Sequence, residues 1–172
     1  FYAPIRFKRS PSPGEETLAA IERRGVEYME LRFFDVDPFS QAGVSTDALA
    51  LARLFVLDGL FNPSSKRPRK ELIGILERAD DAALSDPFVA ASGNAHFARL
   101  LRRLESLEPL ARREGTGYER ALGKYREMFA RPGGSPSARI AKGLLDRGLD
   151  WNGLGIEIAK RWEKGVHDGI PA

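Results

Sequence analysis

Glu30 and Arg32 are the side chains in this sequence best suited to chemistry on an anionic small molecule. They stand two positions apart in the run Gly25-Val26-Glu27-Tyr28-Met29-Glu30-Leu31-Arg32-Phe33-Phe34-Asp35-Val36-Asp37-Pro38-Phe39. Successive strand side chains face opposite sides of a sheet, so the two share a face. A carboxylate there is a hard oxygen ligand for Mg²⁺, and a guanidinium grips phosphate or carboxylate through its planar fork. The same residues also suit a cross-strand ion pair on a solvated face, and alternation leaves both readings open. Tyr2 and Arg6, in the segment ahead, either line a small-molecule pocket or divide between packing and solvent.

Other chemistries are harder to build. The 172 residues contain no cysteine, hence no thiolate metal site, Cys nucleophile or disulfide frame. His96 and His167 are the only histidines, and neither has a ligand partner three or four residues on, so zinc spacing is absent. Lys66-Arg67-Pro68-Arg69-Lys70 is the densest basic run; it lacks interleaved aromatics and reads as a solvated loop. Gly153-Leu154-Gly155 follows no strand and lacks the Lys-Ser/Thr of a phosphate loop, so it reads as a helix start capped by Asn152.

The elements that must position Glu30 and Arg32 follow from patterning. Residues 1–10 read as extended, with Tyr2, Ile5 and Phe7 of β type and Pro4 blocking a helix. Ser12 before Pro13 predicts an N-cap with proline at the first helical position, opening a helix over roughly 15–24 that stops at Gly25. The strand then turns Met29, Leu31 and Phe33 toward a core and Tyr28, Glu30, Arg32 and Phe34 away from it, and Pro38 ends it. Ser45 or Thr46 caps a helix over about 46–61, apolar over most of its girth and therefore placed against the sheet. Further helices are expected over about 69–84, 95–113, 117–130, 137–147 and 153–164, with Ser135 or Ser137 starting the fourth of these and Gly148 ending it. Leu100, Leu101, Leu104 and Leu107, with Phe97, make a core stripe; Arg99, Arg102 and Arg103 make its solvated face.

The fold class is α+β: a short N-terminal antiparallel β part, belonging to a larger sheet, followed by a helical bundle. The expected organisation is a β arm, site strand and packing helix over 1–61, a loop and helix region over 62–90, and a helical region over 91–172. One strand and one arm do not make a stable sheet alone. Partner strands are therefore expected from elsewhere in a parent protein or from another chain, and a start without an initiator methionine points the same way.

Forty-two per cent hydrophobic and 30% charged residues suit a folded domain. A net charge of +3 does not argue for nucleic acid. No apolar run reaches the ~20 residues of a membrane span, and the first residues do not form a signal peptide. Absence of cysteine fits a reducing, cytoplasmic setting.

Several segments, in order, carry a resemblance. Phe1-Tyr2-Ala3-Pro4-Ile5-Arg6, then Gly25 to Arg32, then Asp35-Val36-Asp37-Pro38-Phe39 with Gly43-Val44, resemble the C-terminal part of the proteobacterial-type glutamate–cysteine ligases (γ-glutamylcysteine synthetases). Pro136-Ser137-Ala138-Arg139-Ile140 is similar to that family's Ser-Ala-Arg-Ile/Val helix start. The match is dense over 1–60, thinner over 95–165 and poor over about 62–90, where Lys66–Pro87 replaces a longer family segment.

The resemblance implies a glutamine-synthetase-like superfamily fold. It implies an ATP-dependent reaction joining L-glutamate and L-cysteine through a γ-glutamyl phosphate, the first step of glutathione synthesis, with Mg²⁺ (or Mn²⁺). It assigns Glu30 to the metal, Arg32 to the transferring phosphoryl group and Tyr2 to the cysteine subsite, and it gives Arg6 no definite role. The family site draws further acidic residues, a histidine and arginines from its N-terminal two thirds, so this chain is expected to hold part of a site and, alone, to show no turnover. The short 62–90 region keeps an alternative open: a ligase-like domain that binds a partner and does no chemistry.

Overall fold

Backbone hydrogen bonds and caps set the element boundaries in the computed structural model, which describes residues 4–62, 68–89, 95–107, 109 and 117–165. Tyr2, the Lys66-Arg67 half of the basic run and His167 lie outside those residues, as do the side chains of His96 and Phe97. Chain contacts group the protein into two units, Phe1–Val36 and Asp37–Ala172.

In the first unit β1 (Ile5–Lys8) and β2 (Tyr28–Leu31) pair antiparallel around α1 (Thr17–Arg24). The register sets Ile5 against Leu31, Arg6 against Glu30, Phe7 against Met29 and Lys8 against Tyr28. The Arg32 N–H extends the pairing by donating to the Pro4 carbonyl at 2.8 Å. Gly25 ends α1 as expected, at φ 76°, a conformation that costs glycine little. The start differs. Glu16, not Ser12, precedes the helix and makes no side-chain cap. Ser12 instead opens a turn, its N–H donating to Glu15 Oε2 at 2.8 Å while its carbonyl accepts from the Glu15 N–H. Glu15 also pairs with Arg23 and Arg24 in the last turn of α1.

The expected apolar core under β2 is not formed among the described residues. Ile5, Phe7, Met29 and Phe33 remain exposed, Phe7 at 56%. A two-stranded ribbon buries a face only when another strand or a helix covers it.

The second unit contains α2 (Thr46–Phe61), α3 (Arg69–Ala83), α4 (Ala95–Ser106), α5 (Tyr118–Ala130), α6 (Pro136–Arg147) and α7 (Trp151–Glu163). Its core is helical: Ala50 and Leu54 of α2, Leu104 of α4 with Leu107, and Tyr118, Ala121 and Leu122 of α5. Leu54 and Leu104 are fully buried. The buried side of α2, which patterning placed against the sheet, is thus accounted for by α4 and α5. Its two carboxylates fix those neighbours. Asp47 is 8% exposed and accepts from Arg120 Nε and Lys124 Nζ of α5, each at 2.8 Å. Asp58, near the other end, accepts from Arg103 Nη2 of α4 at 2.7 Å and from Asn62 Nδ2 at 3.0 Å. Arg103 stays on the solvated face to which spacing assigned it, 47% exposed, and reaches Asp58 from there.

Caps explain the remaining boundaries. Ser45 Oγ accepts the Ala48 N–H, and Ser135 Oγ the Ala138 N–H, both at 3.1 Å, with Pro136 at the first position of α6. Asp150, rather than Asn152, caps α7 by accepting the Gly153 N–H at 2.7 Å. Gly153 and Gly155 lie inside that helix, so the Gly-Leu-Gly run is a helix start.

Candidate functional site

The face of the ribbon that carries Glu30 also carries Arg6, Lys8 and, one step beyond β2, Arg32. Alternation puts Glu30 and Arg32 on one side of their strand, and the register puts Arg6 directly across from Glu30. Lys8 leans across as well, its Nζ 3.5 Å from Glu30 Oε1. Glu30 does take part in a cross-strand ion pair, with Lys8. Three cationic side chains thus share a face with a single carboxylate. Glu30 and Arg32 are both half-buried, whereas Arg6 is exposed. Such an arrangement keeps a surplus of positive charge for a phosphate or carboxylate. Sequence spacing singled out Arg6 without a role; the antiparallel register is the signal that joins it and Lys8 to Glu30.

A Mg²⁺ ion asks for about six oxygen ligands, some of them water or substrate phosphate. Glu30 offers one carboxylate, already opposite an ammonium, and among the described residues no group of three or more His, Asp or Glu comes together. The residues present therefore do not fit a divalent cation by themselves. Tyr2 lies outside the described residues.

Five residues past Arg32, within the second unit, the chain is held by a tight turn. Asp37 Oδ1 accepts the Phe39 N–H at 3.0 Å, Asp37 Oδ2 accepts the Ser40 hydroxyl at 2.7 Å, and the Asp37 N–H donates to the Gly43 carbonyl at 2.8 Å. The Arg139 guanidinium carbon lies 3.7 Å from the centroid of the Phe39 ring, a close cation–π contact. Trp162 Nε1–H donates to the Pro38 carbonyl at 3.1 Å. The Asp37–Phe39 and Pro136–Ile140 segments, about a hundred residues apart in sequence, are therefore neighbours in space.

A cavity of 220 Å³ beside this turn is lined by Asp37, Ser45, Lys124, Tyr125, Arg131 and Arg139, among others. Burial pushes the Tyr125 hydroxyl above its ordinary value of 10.0, a shift opposed by its hydrogen bond with Ser45, so it stays protonated at neutral pH. Burial also acts to raise Asp47, but hydrogen bonds from Lys124 and Arg120 overcome it and hold the carboxyl below its ordinary 3.8. Gly134 closes the cavity's rim, and a Cβ there would stand 2.5 Å from the Met128 carbonyl oxygen.

Comparison with known proteins adds a second line of observation. The glutamate-cysteine ligase family model matches residues 1–80. The chain is similar to the glutamate–cysteine ligase of Leptospira interrogans, at 28% identity over 93% of this chain and 33% of that protein. It is 30% identical to that of Shewanella amazonensis over 95% of this chain and 33% of that protein. To that of Clostridium acetobutylicum it is 40% identical over 84 residues, 49% of this chain and 18% of that protein. The chain thus spans about a third of the length of the first two relatives. No solved structure matches.

Proposed function

Because the chain belongs to the glutamate–cysteine ligase family, we propose that it is the C-terminal portion of an ATP-dependent enzyme that forms γ-glutamylcysteine from L-glutamate and L-cysteine. In this reading the parent has the glutamine-synthetase-like fold. ATP transfers its γ-phosphoryl group to the glutamate γ-carboxylate, giving an acyl phosphate and ADP. The cysteine amine attacks the acyl carbon, and inorganic phosphate leaves. Such a reaction needs the anionic oxygens neutralised and the two substrates aligned.

The observation that carries the proposal is the charge on the ribbon face. Arg6, Lys8 and Arg32 surround the single carboxylate of Glu30. That surplus suits a strand facing a triphosphate or an acyl phosphate. Arg32 takes the transferring phosphoryl group, and Glu30 contributes one oxygen to a Mg²⁺ (or Mn²⁺) whose other ligands come from the rest of the parent. Tyr2 lies beside cysteine. The exposed apolar face formed by Ile5, Phe7 and Met29 supports a ribbon that is completed by further strands of that parent.

The test is ATP-dependent turnover by the full-length gene product containing this chain, followed as ADP release in the presence of glutamate and cysteine. Release that needs both amino acids supports the proposal; release that needs neither, or none at all, overturns it.

A further inference from the structure

We propose that the cavity beside the Asp37 turn is a seat for one small oxyanion, a phosphate or carboxylate group, held by Arg131, Arg139 and the Tyr125 hydroxyl. Its 220 Å³ is below the roughly 300–1,000 Å³ of sites that enclose a drug-sized ligand, so it suits a small group. The cavity is built within the helical unit, from the turn, from α5 with Arg131 just past its end, and from the first turn of α6.

Several of the lining groups are already engaged. The two carboxylate oxygens of Asp37 are taken by the Phe39 N–H and the Ser40 hydroxyl. Lys124 Nζ is bound to Asp47 at 2.8 Å. Three donors are left. Arg131 makes no side-chain hydrogen bond or ion pair among the described residues. Arg139 lays the face of its guanidinium on the Phe39 ring, 3.7 Å from the centroid. A stacked guanidinium keeps its in-plane N–H groups for other partners, and among the described residues those of Arg139 meet none. Ser45 Oγ accepts the Ala48 N–H, so the Ser45 hydroxyl proton can serve Tyr125 Oη, its hydrogen-bond partner, and the Tyr125 proton is left for the cavity. Burial keeps that phenol protonated at neutral pH, hence a donor. Glu127 is the uncommitted acid of the lining. It stands four residues before Arg131, where a pair could form, and no ion pair joins them. Two free guanidinium groups against one free carboxylate leave the cavity positive, and the dipole of α6, whose first turn lines it, has the same sign. Two planar forks and a phenol proton are the donor set that oxygen anions take.

The test titrates the 172-residue chain with inorganic phosphate and, separately, with acetate. Chloride holds the ionic strength constant. Nuclear magnetic resonance follows the Nε–H signals of Arg131 and Arg139 and the Tyr125 ring. Saturable shifts at all three are expected with both anions, and none with chloride alone. Arg131→Gln should weaken binding about tenfold and Tyr125→Phe about fivefold, the range for losing a charged and a neutral donor. Unchanged signals from Leu54, Leu104 and Leu122 in both variants separate a lost donor from a lost fold. The same signals in the full-length gene product identify the source of the anion. A response to added phosphate assigns the seat to a free anion. Signals already at their anion-bound positions assign it to a carboxylate of the parent. Signals that do neither overturn the proposal. So do shifts that grow without saturating, which mark an adventitious ion only, and binding indifferent to both substitutions.

Discussion

At the scale of single residues, Glu30 and Asp47 show how a carboxylate serves different ends. Glu30 sits half-buried beside Lys8 on a face with excess positive charge. Asp47 is buried at the head of α2, clasped by two cations. Replacing Asp47 with Ala should destabilise the helical unit by about 1–2 kcal/mol, a modest figure because Arg120 and Lys124 are more than half exposed and solvent screens them. Urea unfolding of the variant measures it. The folded-state value of Asp47 lies below its ordinary 3.8, so its contribution is whole at neutral pH. It should fade only as pH falls below that range and through the folded value. The wild type should therefore lose stability there more steeply than Asp47→Asn. That Glu30 shares a face with Arg32 was legible from alternation; which role it plays was not. Nor were the roles of Asp47 and Asp58, because the pattern of an apolar helix does not say which distant Arg or Lys will meet its acids.

At the scale of elements, local chemistry was readable and pairing was not. The bounds of α2, the glycine ends of α1 and α6 and the capping serines at 45 and 135 follow from short-range rules of side-chain oxygen and φ. Ser12 and Asn152 misled because a better-placed acid was available nearby, Glu15 for the Ser12 turn and Asp150 for the start of α7. The contact of Phe39 with Arg139 has no local signal at all. Two substitutions probe these joints. Gly148→Ala should cost about 1 kcal/mol, since φ 60° strains a residue with a Cβ. Gly134→Ala should cost more, because its Cβ meets backbone that has no freedom to swing aside. Thermal unfolding orders the two; an equal or reversed order would contradict the close approach at Gly134. Arg139→Ala should release the Phe39 turn, seen as faster amide exchange at Phe39 and Ser40, with a loss of about 0.5–1 kcal/mol.

At the scale of the whole molecule, three observations support the proposal that the ribbon and the helical unit are portions of something larger. The ribbon exposes its apolar residues, its charged face offers one carboxylate where a divalent cation needs several ligands, and the curated relatives are about three times as long. None of this was legible from composition, which is that of an ordinary folded domain. It came from the order of short segments and from the register of two strands. No helix among the described residues is long and apolar enough to cross a membrane. The isolated 172-residue chain is expected to release no ADP with glutamate, cysteine and Mg²⁺–ATP, and added turnover on supplying it alone would count against a shared site. In the full-length gene product Glu30→Gln should abolish Mg²⁺–ATP binding. The most direct measurement of the central claim is glutamate- and cysteine-dependent ADP release by that full-length product and its Arg32→Ala variant. The account expects activity that needs both amino acids and falls by about a hundredfold or more in the variant, the scale for removing a donor to a reacting anion. Activity undiminished by Arg32→Ala would contradict it.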